Sequence, residues 1–305
     1  MTNRIKVLKK WDYENGAPVE CMCQADSTGD VVVCDLLNNI AYLNADGSLR
    51  WKKKMDYTPN SVALSEDGAL IYILTKNNYL VRLDREGNEE WDLWIMKNTN
   101  TLSCMAKGQG AAVGGIQGTI QLINSQGKRA KLLHTKEPAT FVRFASRSGG
   151  LFVASAMGWV GIFDKHWKLR KEYNLRRHVT KLEVTHMGRK IFLPALEDGL
   201  AALEVEVDDL LTYSPGFHVN SVAVDRKGEM IVITSPDGDA ALLDSAGTQL
   251  WRRQFTHSWL HTDLTIKGDR FILVSNKGYV KCMAILTAKE AQKKLQDSYF
   301  EFLEI

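Results

Sequence analysis

The 305-residue chain lacks any run of about 18 apolar residues, which a membrane-spanning helix would need. Its first residues, MTNRIKVLKKWDY, contain no apolar stretch and no small-residue cleavage site, so they do not resemble a secretory leader. The formal net charge is only +3, a small surplus for a specific nucleic-acid reader. We therefore expect a globular protein of the cytoplasm and rank nucleic-acid binding below protein binding.

The chain also lacks the short motifs that carry common chemistry. It has no nucleophile elbow, no phosphate-binding glycine loop followed by a helix, no His-Glu-x-x-His and no paired carboxylate motif. Cys21 and Cys23 alternate along a predicted strand and would share a face, as two metal ligands could. No second ligand pair with zinc-like spacing follows them, so we interpret the cysteines as core residues. The sequence predicts no enzyme, no metal and no cofactor.

Helical periodicity is missing before residue 287, and a repeat of about 40 residues takes its place. In each repeat, a turn residue precedes five to seven positions of alternating apolar residues, as in a half-buried strand. These turn residues are Asn39, Asn78, Gly118, Gly158, Gly199, Gly238 and Gly278.

The pattern of each repeat predicts four short strands. A four-stranded unit of about 40 residues has the size of a propeller blade. We predict an all-β fold, a seven-bladed β-propeller of four-stranded antiparallel blades over residues 1–287. The last repeat lacks its fourth strand, and the first strand, RIKVLKKWD, matches the outermost strand of the other repeats. We therefore expect the N-terminal strand to close the ring.

Several outermost strands share a turn in which Asp or Asn is followed by Gly and then by Trp, as in Asp84, Gly87 and Trp91. LDREGNEEW and LDSAGTQLW carry it fully, and LNADGSLRW differs at one position. This pattern resembles the quinoprotein-like (PQQ-like) propeller repeat, whose Trp packs between blades. WD40-like propellers are the competing family. The resemblance implies the blade design without the redox enzyme, because the adjacent-cysteine pair of the quinoprotein dehydrogenases is missing. Lys131 and Lys171 stand where the Trp would fall.

A ring of polar residues is expected where the innermost strands begin, at the mouth of the central channel. Asn and Thr side chains there either tie neighbouring blades together or bind a ligand, and the first interpretation is favoured because nearly every repeat shares them. The ring comprises Val19, Asn60, Asn100, Thr140, Thr180, Asn220 and Thr262.

Four further residues vary between repeats and are candidates for channel-mouth binding. His178 and His218 precede the innermost strands of adjacent blades and could titrate near neutral pH or bind a ligand. Arg143 and Glu183 occupy equivalent positions of adjacent repeats. They form either an ion pair between blades or, less favourably, an anchor for a substrate.

The outermost strands are rich in Lys and Arg, for example Arg50, Lys52, Lys53 and Lys54. Such residues protect strand edges from pairing with other chains, and they could also meet an acidic partner.

Residues 288–305, AKEAQKKLQDSYFEFLEI, carry the one amphipathic helix pattern. Its apolar residues would pack on the propeller or enter a groove on a partner. The candidate partner-binding residues are Leu295, Tyr299, Phe300, Phe302 and Leu303.

These observations favour a protein–protein interaction scaffold, a subunit of a larger cytosolic assembly. Its partners would meet its loops, its basic outer strands and its C-terminal helix. A small-molecule-binding or enzymatic propeller that uses the channel mouth is the alternative, because a fold alone does not determine function.

Overall fold

The computed structural model describes residues 5–287 and residue 290. Residues 5–287 form seven four-stranded antiparallel sheets, one for each predicted blade. Blade 1 comprises β2 (Val19–Gln24), β3 (Val31–Asp35), β4 (Asn39–Leu43) and β5 (Leu49–Lys54), and blade 2 comprises β6 (Pro59–Leu64), β7 (Leu70–Thr75), β8 (Tyr79–Asp84) and β9 (Glu89–Trp94). Blade 3 comprises β10 (Thr99–Cys104), β11 (Gly110–Gly115), β12 (Thr119–Asn124) and β13 (Arg129–His134). Blade 4 comprises β14 (Phe141–Phe144), β15 (Leu151–Ala154), β16 (Trp159–Phe163) and β17 (Leu169–Asn174).

Blades 5 to 7 continue the same order. Blade 5 comprises β18 (Glu183–Val184), β19 (Lys190–Pro194), β20 (Leu200–Glu204) and β21 (Asp209–Tyr213). Blade 6 comprises β22 (Ser221–Val224), β23 (Met230–Thr234), β24 (Asp239–Asp244) and β25 (Gln249–Gln254). Blade 7 comprises β26 (Trp259–Leu264), β27 (Arg270–Ser275), β28 (Tyr279–Leu286) and β1 (Lys6–Glu14).

The ring closes through β1, which pairs antiparallel with β28 as the outermost strand of blade 7. The prediction of a seven-bladed propeller closed by the N-terminal strand is therefore confirmed. Pairing the two ends of the ring in one sheet leaves only short outer edges. The predicted helix at 288–305, with its partner-binding residues, lies outside the described residues.

Burial follows the position of a strand within its blade. The second strands, such as β3 and β11, are buried along their whole length because blades pack on both of their faces. The outermost strands, such as β5, are mostly exposed. Hydrophobic clusters join neighbouring blades: Cys34 and Tyr42 of blade 1 pack with Val62 and Ile73 of blade 2. Cys21 and Cys34 belong to this cluster, as their interpretation as core residues requires.

Tryptophan side chains join the outer parts of adjacent blades. Trp11, Trp51 and Trp91 lie on outermost strands, and the indole N–H of each donates to a carbonyl in the outer turn of the next blade. The bonds run from Trp11 to Ala45 (3.1 Å), from Trp51 to Arg85 (2.9 Å) and from Trp91 to Ser125 (3.2 Å).

Blades 3, 4 and 5 lack this Trp, and blades 4 and 5 use a Tyr two residues further along the strand. Tyr213 donates its hydroxyl to the carbonyl of Ser245 in blade 6, at 2.9 Å. Tyr173 donates its hydroxyl to the side-chain carboxylate of Asp208 in blade 5, and the ammonium of Lys171 donates to the carbonyl of Val205 at 2.6 Å. A shift of two residues keeps a side chain on the same face of the strand, so the contact between blades survives the loss of Trp.

The turn between the second and third strands needs a residue with positive φ, which Gly or Asn adopts most readily. In blade 1 this residue is Asn38, with φ of 67°, rather than the expected Asn39. In blade 5 the turn contains one extra residue, and Leu196 (φ 49°) also takes a positive φ before Gly199. The other turn residues stand where the repeat predicts them.

Candidate functional site

The innermost strands start at one end of the central channel, which we call the mouth face, and end at the other, which we call the far face. The turns between second and third strands also lie on the mouth face. The Leu36 amide donates to Pro18, just before β2, and the Ile116 amide donates to Asn98, just before β10, each at 3.0 Å. The two faces therefore carry different sets of turns.

A cavity of about 340 Å³ opens at the mouth face. Its lining includes one residue from the same strand position of every blade, so the expected ring exists. The ring consists of Glu20, Asn60, Asn100, Thr140, Thr180, Asn220 and Leu260.

The ring differs from the prediction in blades 1 and 7. Val19 is buried in the core and its neighbour Glu20 lines the cavity; Thr262 occupies the first core position, two residues beyond Leu260. Neither Glu20 nor Leu260 is the Asn or Thr that the other blades led us to expect. In blade 1 the prediction was wrong by one residue, and adjacent strand residues face opposite ways, so that error exchanged the channel for the core. In blade 7 it was wrong by two residues.

A layer of charged side chains crosses the channel beneath the ring. The Arg143 guanidinium lies 3.3 Å from the Glu183 carboxylate, which makes the expected pair between blades 4 and 5. The Lys181 ammonium lies 3.8 Å from Glu183 and donates to the carbonyls of Val222 and Thr262, each at 2.8 Å. Lys181 thereby reaches from blade 5 to blade 7. Asp263 accepts the amide N–H of Gln24 in blade 1 at 3.0 Å, which extends the layer around the channel.

The charged layer divides the channel. A second cavity, of about 90 Å³, lies on its far side, and Arg143 and Asp263 contribute to both cavities. Cys23 and Cys104 line this second cavity, and burial raises the pKa of the Cys23 thiol to about 12. A thiol with so high a pKa is a poor nucleophile at neutral pH.

Burial and neighbouring charges set the protonation of this layer. The Glu183 carboxylate raises the pKa of Arg143, and burial lowers the pKa of Lys181. Burial raises the pKa of Asp263 and, with the nearby carboxylates, raises the pKa of Asp26 to about 8. Because the cations of the layer face carboxylates of the same layer, the arrangement favours Arg143 as a structural partner of Glu183 over a free anchor for an anion.

The two candidate histidines lie away from the charged layer. His178 and His218 are exposed on the mouth face, and neither lines the cavity. The Nδ1 atom of His218 lies 3.6 Å from the carboxylate of Asp237. The half-buried His261, whose sequence position is also near the entry of an innermost strand, does line the cavity, and desolvation lowers its pKa to about 4. Within residues 5–287, no group of His, Cys, Asp and Glu side chains could hold a metal ion.

Large apolar side chains are exposed on the turns of the mouth face, which the sequence reasoning missed. Leu37 is 61% exposed and Met157 is 69% exposed, and Leu36 and Ile116 are also exposed. Aligning the turns at the 40-residue period would have found them, since Leu36 and Ile116 stand at one turn position and Leu37 and Met157 at the next. Far-face turns also expose Met187 and Val207, but both belong to blade 5, whereas the mouth-face residues come from three blades. Isolated apolar residues are common on surfaces, and recurrence across several blades on one face is typical of a binding surface.

The basic outer strands make many contacts between blades. The Lys52 ammonium donates to the carbonyl of Asn15 at 2.6 Å, and that of Lys53 donates to Gly87 at 2.7 Å. Just after β13, Lys136 pairs with Glu172 at 2.6 Å. Some basic side chains of this surface therefore bond to other groups of the propeller itself.

The fold defines the protein as a closed seven-bladed β-propeller. No model of a known protein family matches the sequence, and no curated protein is significantly similar to it. Among the described residues, no helix has the length and apolar character required to cross a membrane.

Proposed function

We propose that the protein is a non-enzymatic interaction platform for other proteins, a subunit of a larger cytoplasmic assembly, and that the mouth face is its main binding surface. The observation that carries this proposal is the exposure of Leu36, Leu37, Ile116 and Met157 on the turns of one face. A ring held by hydrogen bonds between blades gives these side chains fixed positions, which lowers the entropic cost of binding.

The proposal also covers the surfaces next to the mouth face and the evolutionary origin of the propeller repeat. The basic outer strands would flank the apolar turns and attract acidic partners, and the segment 288–305 would add a second contact. The turn that precedes Trp51, Trp91 and Trp251 supports descent from quinoprotein-like propellers, with the WD40-like family as the competing origin.

Affinity purification of the full chain from the cells that make it, with mass spectrometry of bound proteins, tests the proposal. We expect Leu37→Glu with Met157→Glu to remove partners that bind the wild-type protein. The matched control is Met187→Glu with Val207→Glu, which changes exposed apolar residues in the far-face turns of blade 5. If the mouth-face variant keeps every partner, the proposal is wrong.

Small-molecule binding at the mouth is the second candidate, supported by the amides of Asn60, Asn100 and Asn220 around a cavity of about 340 Å³. This volume is in the lower part of the range for ligand pockets. A thermal-shift screen tests it. A ligand whose stabilising effect disappears in Asn60→Ala with Asn100→Ala would favour this function over the platform. The His178→Ala with His218→Ala variant is the control, because neither histidine lines the cavity.

A further inference from the structure

On the far face, main-chain hydrogen bonds link the turn after one innermost strand to the same turn of the next blade at six of the seven junctions. We call this set of bonds the turn ring. In each bond a residue of one turn donates its amide N–H to a carbonyl of the next. The bonds are Ser27 to Glu66 (2.9 Å), Glu66 to Ala106 (2.7 Å), Arg147 to His186 (2.9 Å), His186 to Arg226 (3.3 Å), Arg226 to Ile266 (3.1 Å) and Ile266 to Asp26 (3.1 Å).

The turn ring is broken between blades 3 and 4. The pattern requires the Ala106 amide to donate to the Ser146 carbonyl, but within residues 5–287 neither group has a hydrogen-bond partner. The turn of blade 4 closes with a wider bond, from Gly149 to Ala145, but so does the turn of blade 1, from Gly29 to Ala25. Since blade 1 is joined to blade 2, the wider turn does not by itself explain the break.

A cavity of about 290 Å³ lies at this break, and we call it the blade 3–4 cleft. Met105, Phe144 and Ala145 supply its apolar lining, and Lys107 and Arg147 are exposed at its edges. Among the described residues, neither cationic side chain has an ion pair or a hydrogen bond. The cleft therefore offers a largely apolar cavity with two available positive charges at its edges and the carboxylate of Glu66 in its wall.

Two buried polar groups of the cleft also lack partners. The His186 side chain is only 8% exposed, and its Nδ1 atom lies 3.6 Å from Oε1 of Glu66. Both atoms are buried and neither has a hydrogen-bond partner in the described part of the chain. Burial lowers the pKa of His186, so its neutral ring has one donor and one acceptor nitrogen at neutral pH. Buried polar atoms without partners are unusual in proteins, so this pair is a second irregularity at the break.

We propose that the blade 3–4 cleft binds an extended, acidic segment of a partner protein. The segment would accept a hydrogen bond from the Ala106 amide and donate one to the Ser146 carbonyl, and one of its side chains would enter the cavity. Acidic residues on either side would pair with Lys107 and Arg147. The idea rests on the proposed function as a protein-binding platform, but it concerns the opposite face.

A peptide fits these groups better than a nucleic acid does. Each residue of an extended peptide offers both an N–H and a C=O, and strand-like main-chain bonds are a common mode of peptide recognition. A phosphate backbone offers acceptors for Lys107 and Arg147, but it has no amide N–H to donate to the Ser146 carbonyl. The apolar lining also favours an amino-acid side chain.

Selection from a displayed library of random peptides of about a dozen residues, with the full-length protein as target, tests the proposal. We expect enriched peptides to be acidic and to bind Lys107→Glu with Arg147→Glu at least about tenfold more weakly than the wild type. The matched control is Lys227→Glu with Lys267→Glu, two lysines in far-face turns whose junctions are intact. This control should bind the peptides as the wild type does.

Hydrogen exchange of the Ala106 amide gives a second readout, independent of charge. A bound peptide should slow exchange at Ala106 and leave exchange at Arg226, whose amide is already bonded, unchanged. If no peptide distinguishes the cleft variant from the control, or if peptides bind without slowing exchange at Ala106, the proposal is overturned. The mouth-face partners should remain bound to the cleft variant, so the two proposals can fail separately.

Discussion

The indole ring of Trp51 in blade 1 occupies the space that a side chain at position 87 of blade 2 would need. A Cβ atom on Gly87 would lie 2.8 Å from Cζ2 of Trp51, and Gly87 has a φ of 75°. The spacing of Gly and Trp in the repeat thus has a physical basis: the Gly of one blade is the docking surface for the Trp of the blade before it.

Replacing Gly87 with Ala should lower stability for two reasons. The positive φ disfavours any residue with a Cβ, and the new methyl group would collide with Trp51. We expect Gly87→Ala to lower the free energy of unfolding by about 2–4 kcal/mol, measured by urea unfolding. Gly216→Ala is the control, because Gly216 has a φ of 80° and a Cβ added there would have no atom within 4 Å. Equal losses in the two variants would rule out the collision.

The Trp51 side chain should contribute through its hydrogen bond and its packing. Trp51→Phe keeps much of the packing but loses the bond to the Arg85 carbonyl, so we expect a loss of about 1 kcal/mol. Trp51→Ala should cost about 2–4 kcal/mol. Trp94→Ala, which truncates an exposed Trp on the next blade, should change stability by less than about 0.5 kcal/mol. A similar effect for all three would contradict a role of Trp51 in joining the blades.

Most of the fold could be predicted because the local signals agree in most repeats. In blade 2, Asp84 and Gly87 predict the turn, and Trp91 predicts the contact with the next blade. Blade 5 was harder, because an extra residue near Leu196 disturbs the period and Tyr213 replaces Trp from two positions away. A contact made by a different residue at a different position leaves no repeat for sequence reasoning to detect.

The candidate site was predicted less completely. Arg143 and Glu183 share a repeat position, so their pairing could be expected. Asp263 occupies the same position in blade 7, but the assignment of Thr262 to the polar ring shifted that blade by two residues and concealed it. The broken bond between Ala106 and Ser146 could not be predicted at all, because the turn sequences of blades 3 and 4 do not reveal how far apart the two turns lie.

The carboxylate of Glu183 should stabilise the propeller by balancing Arg143 and Lys181 inside the channel. We expect Glu183→Gln to lower the free energy of unfolding by about 1–3 kcal/mol, because it leaves two partly buried cations with less compensation. Glu206→Gln is the control: its exposed carboxylate lies 3.2 Å from Arg189, and its loss should cost less than about 0.5 kcal/mol. Equal effects of the two substitutions would show that the buried pair contributes no more than a surface pair.

Asp26 should make stability depend on pH. Its pKa rises from 3.8 to about 8 in the folded protein because of burial and the carboxylates of Asp263 and Glu183. Between these values the folded state holds a proton that the unfolded state has lost, so stability falls as the pH rises from 3.8 to about 8. Asparagine does not titrate. The unfolding free energy of Asp26→Asn should therefore rise relative to wild type through this window and stay level above it, in urea titrations at several pH values.

Asp164→Asn is the control, because the pKa of Asp164 is lowered in the folded protein whereas that of Asp26 is raised. Hydrogen bonds from the Lys168 amide and the Arg170 side chain lower the pKa of Asp164 from 3.8 to about 2. That carboxylate stabilises the folded state above pH 3.8, and its contribution is lost as the pH falls through about 2. The Asn variant should therefore be less stable than wild type at neutral pH and match it at the acid end. If the difference between wild type and Asp26→Asn is constant with pH while Asp164→Asn behaves as expected, the Asp26 carboxyl titrates normally, and the buried carboxylates beneath the channel mouth do not act on one another.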